Sequence, residues 1–434
     1  MSESQHPRPS PLPVNFRKWD IDSRRRAVAR MVAAADYPEV DALAAMGADP
    51  DMIDLADVMI ESAVGYLGLP LGICRGVVVD GTAYDVPMAT EEPSVVAAAN
   101  YAAGIVGRAG GFTTWAEEPV TTGQLFIEGA SANARDAVAD AEVQIREMLN
   151  PVIRRMAERG GGFRGVDVMT LPATGLLRVQ IHLDVRDAMG ANIVNTAAER
   201  IRPLLEELSG GRCLMAILSN AAERRRAGAQ CTIPVGRLSR GGIEGAEIAR
   251  RVELASELAQ EDHTRAVTHN KGVMNGITAV TITTGNDNRA VEAAIHRYAG
   301  RDGTYRGVAT YRVEGDLLYG AIEVPIALGT IGGAAGIHPA SRLGLSLLGS
   351  PSATELARIA VSVGLAQNLA AVMALVTEGI QSGHMALHAR RLAWMAGARG
   401  EERIAVTEAL IAGGIFNLEE ARRALAQIRS EHDS

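Results

Sequence analysis

Lysine is nearly absent from this chain of 434 residues: of its 43 basic positions, all but Lys18 and Lys271 are arginine. Aromatic residues make up 4% and hydrophobic residues 47%, so the core must be built from Ala, Val, Leu and Ile, as in helix-rich or α/β proteins. The three cysteines, Cys74, Cys213 and Cys231, have no CxxC spacing and form no plausible disulfide framework. They read as small buried hydrophobes in a reducing compartment. A basic face is missing as well, since the formal charge is −8, and nucleic-acid binding gains no support. The most apolar stretch, VSVGLAQNLAAVMALV (361–376), falls short of the roughly 20 residues that span a bilayer and carries Gln367 and Asn368. Residues 1–13, MSESQHPRPSPLP, have no signal-peptide core and read as a disordered tail. The expectation is a soluble, cytoplasmic protein of two or three domains.

After the tail, 21–47 and 52–64 have the apolar spacing of packed helices, and GVVVDGTAYDVPMAT (76–90) reads as a hairpin about Asp80-Gly81. Residues 91–111 open with acids and a proline and close on glycines, as a helix does. The next hundred residues run strand (123–130), helix (131–159, interrupted at Pro151), two strands about a turn (166–185), helix (191–211) and strand (213–220). That β-α-β-β-α-β order is ferredoxin-like, and the unit looks inserted into a larger one. Beyond Arg240 follow a helix (243–260), THNKGVMNG (268–276) as a loop, VTITTGND (280–287) as an apolar strand, a helix (289–299), a hairpin and a glycine-rich loop. A long buried helix (351–379) opens with a Ser352/Glu355 capping-box pattern. Two or three short amphipathic helices fill 381–434.

Lysine differs from arginine in being able to lose its proton when burial lowers its pKa. Lys271 lies between glycines and asparagines, unlike an exposed helix face, although a plain surface lysine stays open. Asp287 reads either as a strand-end catalytic acid or as the cap of the helix that follows. Glu91 and Glu92 sit at a helix start, where the dipole favours acids. His384 and His388 are four apart, a spacing that can bind metal on one helix face, but no third ligand is near and no metal is expected. DVRDAMGAN (184–192) and GTIGGAAG (329–336) are glycine-bearing loops of low specificity, the first suited to phosphate at a helix start. ERRRAG (223–228) reads as a solvated face in preference to an anion-binding edge.

Nine segments join these residues: MIESAVG (59–65), EEPSVVAAA (91–99), DVRDAMGANIVNT (184–196), ILSN (217–220), THNKGVMNG, TTGND (283–287), GTIGG (329–333), VGLAQN (363–368) and EGIQSGHMALHAR (378–390). In this order they resemble 3-hydroxy-3-methylglutaryl-CoA (HMG-CoA) reductase, in the soluble bacterial and archaeal class of that family. The resemblance implies an α+β fold. Residues 14–118 and 219–380 would form a large helix-rich substrate domain, 119–218 an inserted ferredoxin-like, non-Rossmann nucleotide domain, and 381–434 a helical flap.

It also implies the reaction: HMG-CoA is reduced to mevalonate and CoA by two hydride transfers from NADPH or NADH, through mevaldyl-CoA hemithioacetal and mevaldehyde. The family's catalytic set falls on Glu92, Lys271, Asp287 and His384. Lys271 would stabilise the carbonyl oxygen, Glu92 would act as general acid, Asp287 would tune both, and His384 would protonate the departing thiolate. Substrate contacts fall on Ser94, Arg265, Asn275 and Asn220, and cofactor contacts on Asp187, Met189, Gly190 and Asn192. Family members that prefer NADH carry an acid in the first long helix of the small domain. Ile153 stands there in this chain, beside Arg154 and Arg155, which leans the cofactor to NADPH with Arg154 at the 2′-phosphate. A homodimer with its site at the subunit interface is implied, with any higher assembly left open. The rivals are another lysine enzyme, such as a Schiff-base lyase, and a non-catalytic acyl-CoA-binding paralogue.

Overall fold

The computed structural model describes residues 12, 15–33, 38–377 and 379–432, with backbone alone over 380–387 and 431–432. The tail expected over 1–13 lies almost wholly outside the described residues. Two compact units result, residues 1–70 and 71–434. The first holds helices α1 (Ile21–Ala33), α2 (Glu39–Ala45) and α3 (Pro50–Met59), after which the chain turns at Glu61–Ser62 within MIESAVG and continues without helix or strand to Pro70. Two buried arginines organise it. Arg25 donates to the carbonyls of Leu43, Met46, Gly47 and Val64 at 2.7–3.1 Å, while Arg24 reaches Ala63 O at 2.9 Å and pairs with Asp57. Delocalised guanidinium with five donors suits such carbonyl clusters.

The second unit begins with a hairpin, β1 (Leu71–Val79) and β2 (Thr82–Ala89), under α4 (Val95–Arg108). Strand β3 (Thr113–Ala116) leads into the segment β4 (Val120–Glu128), α5 (Ala134–Asp140), α6 (Glu142–Ala157), β5 (Gly162–Thr170), β6 (Leu177–Asp184), α7 (Ala191–Ser209) and β7 (Arg212–Leu218). The four strands pair antiparallel in the order β5-β6-β4-β7, and the three helices cover one face over a core running from Leu125 to Cys213. Alternation explains the layering: Val179, Ile181 and Leu183 of β6 point to the helices, and Gln180 and His182 point away.

The chain then returns through β8 (Arg226–Pro234), α8 (Gly245–Glu261), α9 (His263–Thr283), α10 (Asn288–Ala299), β9 (Ala309–Glu314) and β10 (Leu317–Pro325). A second antiparallel sheet, β3-β8-β10-β9, forms here. The short helices α11 (Gly333–Ile337) and α12 (Pro339–Leu347) precede α13 (Ala353–Val376), whose Ser352/Glu355 capping box is formed. α13 has the length and apolarity of a membrane span, but 78% of its most apolar stretch is buried against α9, α4 and β8. Helices α14 (Ile380–Met395), α15 (Gly400–Gly413) and α16 (Leu418–His432) enclose a small core of their own around Ala389, Leu392, Val406 and Leu425.

Four expectations are corrected. THNKGVMNG and the first half of VTITTGND (280–283) are not loop and strand but parts of one 21-residue helix, α9, with 284–287 as the turn into α10. The 131–159 helix breaks at Ala141 and not at Pro151, which sits inside α6. Ile153 is 2% exposed and points into the core, so it cannot face a ligand. ERRRAG is a solvated face only in part: Glu223 and Arg224 are exposed, Arg224 pairing with Asp167 at 2.9 Å, while Arg226 is half-buried against Glu117 and Glu323. Arg225 is buried, binding the carbonyls of Met189 and Ala188 at 3.0 and 3.2 Å, and burial lowers its pKa to about 10.

α9 and α13 cross where glycine meets glycine. A Cβ on Gly276 would stand 2.8 Å from Val363 O, and one on Gly364 would stand 2.7 Å from Ile277 Cγ1. Gly276→Ala therefore forces the helices apart, and a loss of about 1–3 kcal/mol is expected, read as a lowered thermal midpoint. An unchanged midpoint would show that the crossing has slack.

Candidate active site

α9 is a helix despite two glycines and five threonines because its buried polar residues find partners elsewhere. Asp262 caps it, accepting from the N–H groups of Thr264 and Arg265 at 2.7 and 3.2 Å. His269 Nε2 meets Ala309 O at 2.9 Å. Asn270 accepts from Val308 N and donates to Arg306 O, both at 2.9 Å, and Asn368 of α13 donates to His269 O at 2.9 Å. These bonds bury one face and fix the other. The open face carries Thr268, Lys271, Asn275 and Thr278, spaced three or four residues apart.

Lys271 projects from that face with 55% of its side chain exposed, and its ammonium donates to Glu92 Oε2. Expected burial around the lysine is thus not found; its partner is a carboxylate at the approach to α4. Ser94 caps α4 at φ 73°, a left-handed conformation that a side chain adopts at a cost, and such strain concentrates at functional sites. Asn275 shares the face of Lys271. Arg265 lies about 9 Å along the axis, half-buried. Burial lowers its pKa, and among the described residues no carboxylate pairs with it. A desolvated guanidinium without an internal partner suits an incoming anion.

Asp287 turns out to be a helix cap. Its Oδ1 accepts from Arg289 N and Ala290 N at 3.0 and 3.1 Å, and Arg289 Nε approaches at 3.3 Å. Among the described residues it bonds neither Lys271 nor Glu92, so the three-membered network is only partly assembled. It nevertheless lines a cleft of about 340 Å³ together with Met189, Gly190 and Asn192. Gly190 caps α7 at φ 100°, and a Cβ there would stand 2.8 Å from Val185 Cγ1, so only glycine permits this approach to an α7 start without a side-chain cap. Asp187 is spent on structure, its carboxylate accepting from Ala353 N at 2.9 Å. Asn220 is exposed in the turn after β7 and borders a narrow cavity with Met189 and Arg225. Arg154 reaches a second cavity of about 350 Å³, lined also by Arg155 and Arg159. These clefts of about 340 and 350 Å³ share the lining residues Ala188 and Ile193. The His384 side chain lies outside the described residues.

The sequence family described as hydroxymethylglutaryl-coenzyme A reductase matches residues 20–389. The 3-hydroxy-3-methylglutaryl-coenzyme A reductase of Archaeoglobus fulgidus is 41% identical over 96% of this chain and 94% of its own. This chain belongs to the HMG-CoA reductase family. Members of that family are NAD(P)H-dependent oxidoreductases. A probable reductase of Borreliella burgdorferi is 36% identical over 77% of each chain. Among solved structures, the Streptococcus pneumoniae reductase superposes with a TM-score of 0.74 at 41% identity, covering 96% of this chain and 99% of that one. A class II structure from the same organism, described as bound to NADPH in open conformations, gives 0.73 at 40%, covering 95% of this chain and 100% of that one.

Sequence reasoning missed the polar residues that hold α9, and it missed Asn286 and Arg159 beside the clefts. Helical spacing of Thr268, Lys271, Asn275 and Thr278 was the available signal for the open face. One prediction follows from the buried His269, which burial pushes down to about 4. Unfolded histidine titrates near 6.5, so between these values the unfolded chain binds more protons. Stability is expected to fall as pH drops from about 6.5 towards 4, and His269→Gln should reduce that fall by up to one proton per chain. Identical denaturation profiles for the two proteins across this window would contradict it.

Proposed function

We propose that the chain reduces (S)-3-hydroxy-3-methylglutaryl-CoA to (R)-mevalonate and CoA, consuming two NAD(P)H. The observation that carries this is the Lys271–Glu92 pair on the open face of α9, within one family-wide match. The Asp287-lined cleft at the start of α7 supports a nicotinamide cofactor, which supplies hydride in both reductions. Lys271 donates a hydrogen bond to the thioester oxygen, where charge develops on the way to the hemithioacetal. Arg265 receives the terminal carboxylate through its guanidinium fork, with Ser94, Asn275 and Asn220 completing the substrate contacts. As the C–S bond breaks, His384 protonates the CoA thiolate and mevaldehyde is left. Glu92, bonded to Lys271, delivers the proton to the aldehyde oxygen in the second reduction, and Asp287 tunes the pair once the site closes.

On this reading residues 119–218, with their ferredoxin-like strand order, form the nucleotide domain. Residues 14–118 and 219–380 form the substrate domain, and 381–434 a flap carrying His384. The functional form is a cytoplasmic homodimer with its sites at the subunit interface. The arginines 154, 155 and 159 around the cavity beside the cofactor loop support NADPH, since a 2′-phosphate needs cations where NADH needs an acid.

Absorbance at 340 nm tests the reaction: oxidation of NADPH should depend on HMG-CoA, with two nicotinamides consumed per CoA released. A ratio of one, or no dependence on the thioester, overturns the assignment. Lys271→Arg should fold yet lose at least about 100-fold in kcat, because a broad fixed fork replaces a compact donor; near-normal turnover removes Lys271 from the mechanism. Changing Arg154 and Arg155 together to Glu should lower kcat/KM for NADPH at least about tenfold and leave NADH within about threefold. A tenfold preference of the unaltered enzyme for NADH would contradict the cofactor choice.

A further inference from the structure

Asn286 sits between the two halves of the proposed site, one residue before Asp287, and takes no part in the chemistry above. Its carboxamide is used in full. Nδ2 donates to Gly329 O at 2.9 Å, to Thr284 Oγ1 at 3.0 Å and to Thr284 O at 3.3 Å, while Oδ1 accepts from Gly329 N at 2.7 Å. The two bonds with Gly329 imitate a β-bridge, with a side-chain amide in place of a peptide group. Gly329 is in turn pressed against the cofactor loop, since a Cβ on it would stand 2.4 Å from Met189 N. The next two residues continue the contact, Thr330 N and Ile331 N donating to Asp187 O at 2.8 and 3.3 Å. A continuous path therefore runs from the end of α9 through Asn286 and Gly329 to Met189 and Gly190.

We propose that Asn286 is a positioning residue that sets the cofactor loop against the α9–α10 turn, and so places the nicotinamide cofactor relative to Asp287. The proposal rests on the reading of the α7 start as the cofactor site. The chemistry of the side chain makes it specific. Aspartate has the same shape and keeps an acceptor for Gly329 N, but it has no donor for Gly329 O and sets a carboxylate against that carbonyl. The substrate side is built on α9 itself, whose anchors at Asp262, His269 and Asn270 do not involve Asn286. Loss of the clamp should therefore separate the two ligands.

The test measures dissociation constants of NADPH and of HMG-CoA by titration calorimetry on the full-length protein and on Asn286→Asp. NADPH should bind at least tenfold more weakly, and HMG-CoA should stay within threefold. Gly329→Ala supplies a second variant that strains the same junction from the loop side with Asn286 intact, and it should show the same selective loss. The double variant should fall no further than the weaker single one, because both break one contact. Unchanged NADPH affinity in both variants overturns the proposal, and so does equal weakening of both ligands, which would mark a general structural role. Failure of the unaltered protein to bind NADPH would instead sink the cofactor reading on which the proposal rests.

Discussion

Helix α9 can lie flush on α13 only because glycine faces glycine where they cross, and the rest of the site depends on that contact. With Gly276 and Gly364 in register, Asn368 reaches His269 O, and Val308 and Ala309 at the start of β9 reach Asn270 and His269. The buried side of α9 is then fixed in rotation, and rotation decides what the open side presents. A helix turns by about 100° per residue, so a slip of one position would carry Lys271 away from Glu92. Polar groups buried without partners are costly, and this is why His269 and Asn270 specify one orientation where an all-apolar face would tolerate several.

Much of this was legible in the sequence, and the exceptions have physical causes. The β-α-β-β-α-β succession, the capping box at Ser352 and the helical character of the C-terminal segment were readable because alternation, spacing and cap residues act locally. α9 was misread because Gly272, Gly276 and the threonines are poor helix formers, and the partners of His269 and Asn270 lie 36 to 99 residues away along the chain. Composition cannot report a bond from Asn270 to Arg306. Arg225 was hidden for a similar reason: three consecutive arginines look like a solvated edge until the middle one is found binding the carbonyls of Ala188 and Met189. Asp287 was readable in part, since either role fitted its position and the cap is what the structure displays.

The chemistry needs more than this arrangement alone. Lys271 is more than half exposed and Asp287 is occupied with its own helix, so of the proposed trio only Lys271 and Glu92 are bonded to each other. Exposure keeps the ammonium well solvated, and in water a hydrogen bond to a developing oxyanion is worth little. Closure over the substrate, with water excluded, would strengthen the same contacts without new residues. Lysine suits that requirement, being compact enough to turn from Glu92 to a carbonyl oxygen within a small volume. An enzyme that uses arginine at nearly every other basic position has kept lysine at this one.

On the proposed mechanism Lys271 and Glu92 act as one catalytic unit. A double-mutant cycle on kcat for HMG-CoA reduction, using Lys271→Arg, Glu92→Gln and the pair, tests it most directly. The double variant should be no slower than the slower single variant, within about threefold. Losses that multiply across the two positions would contradict it.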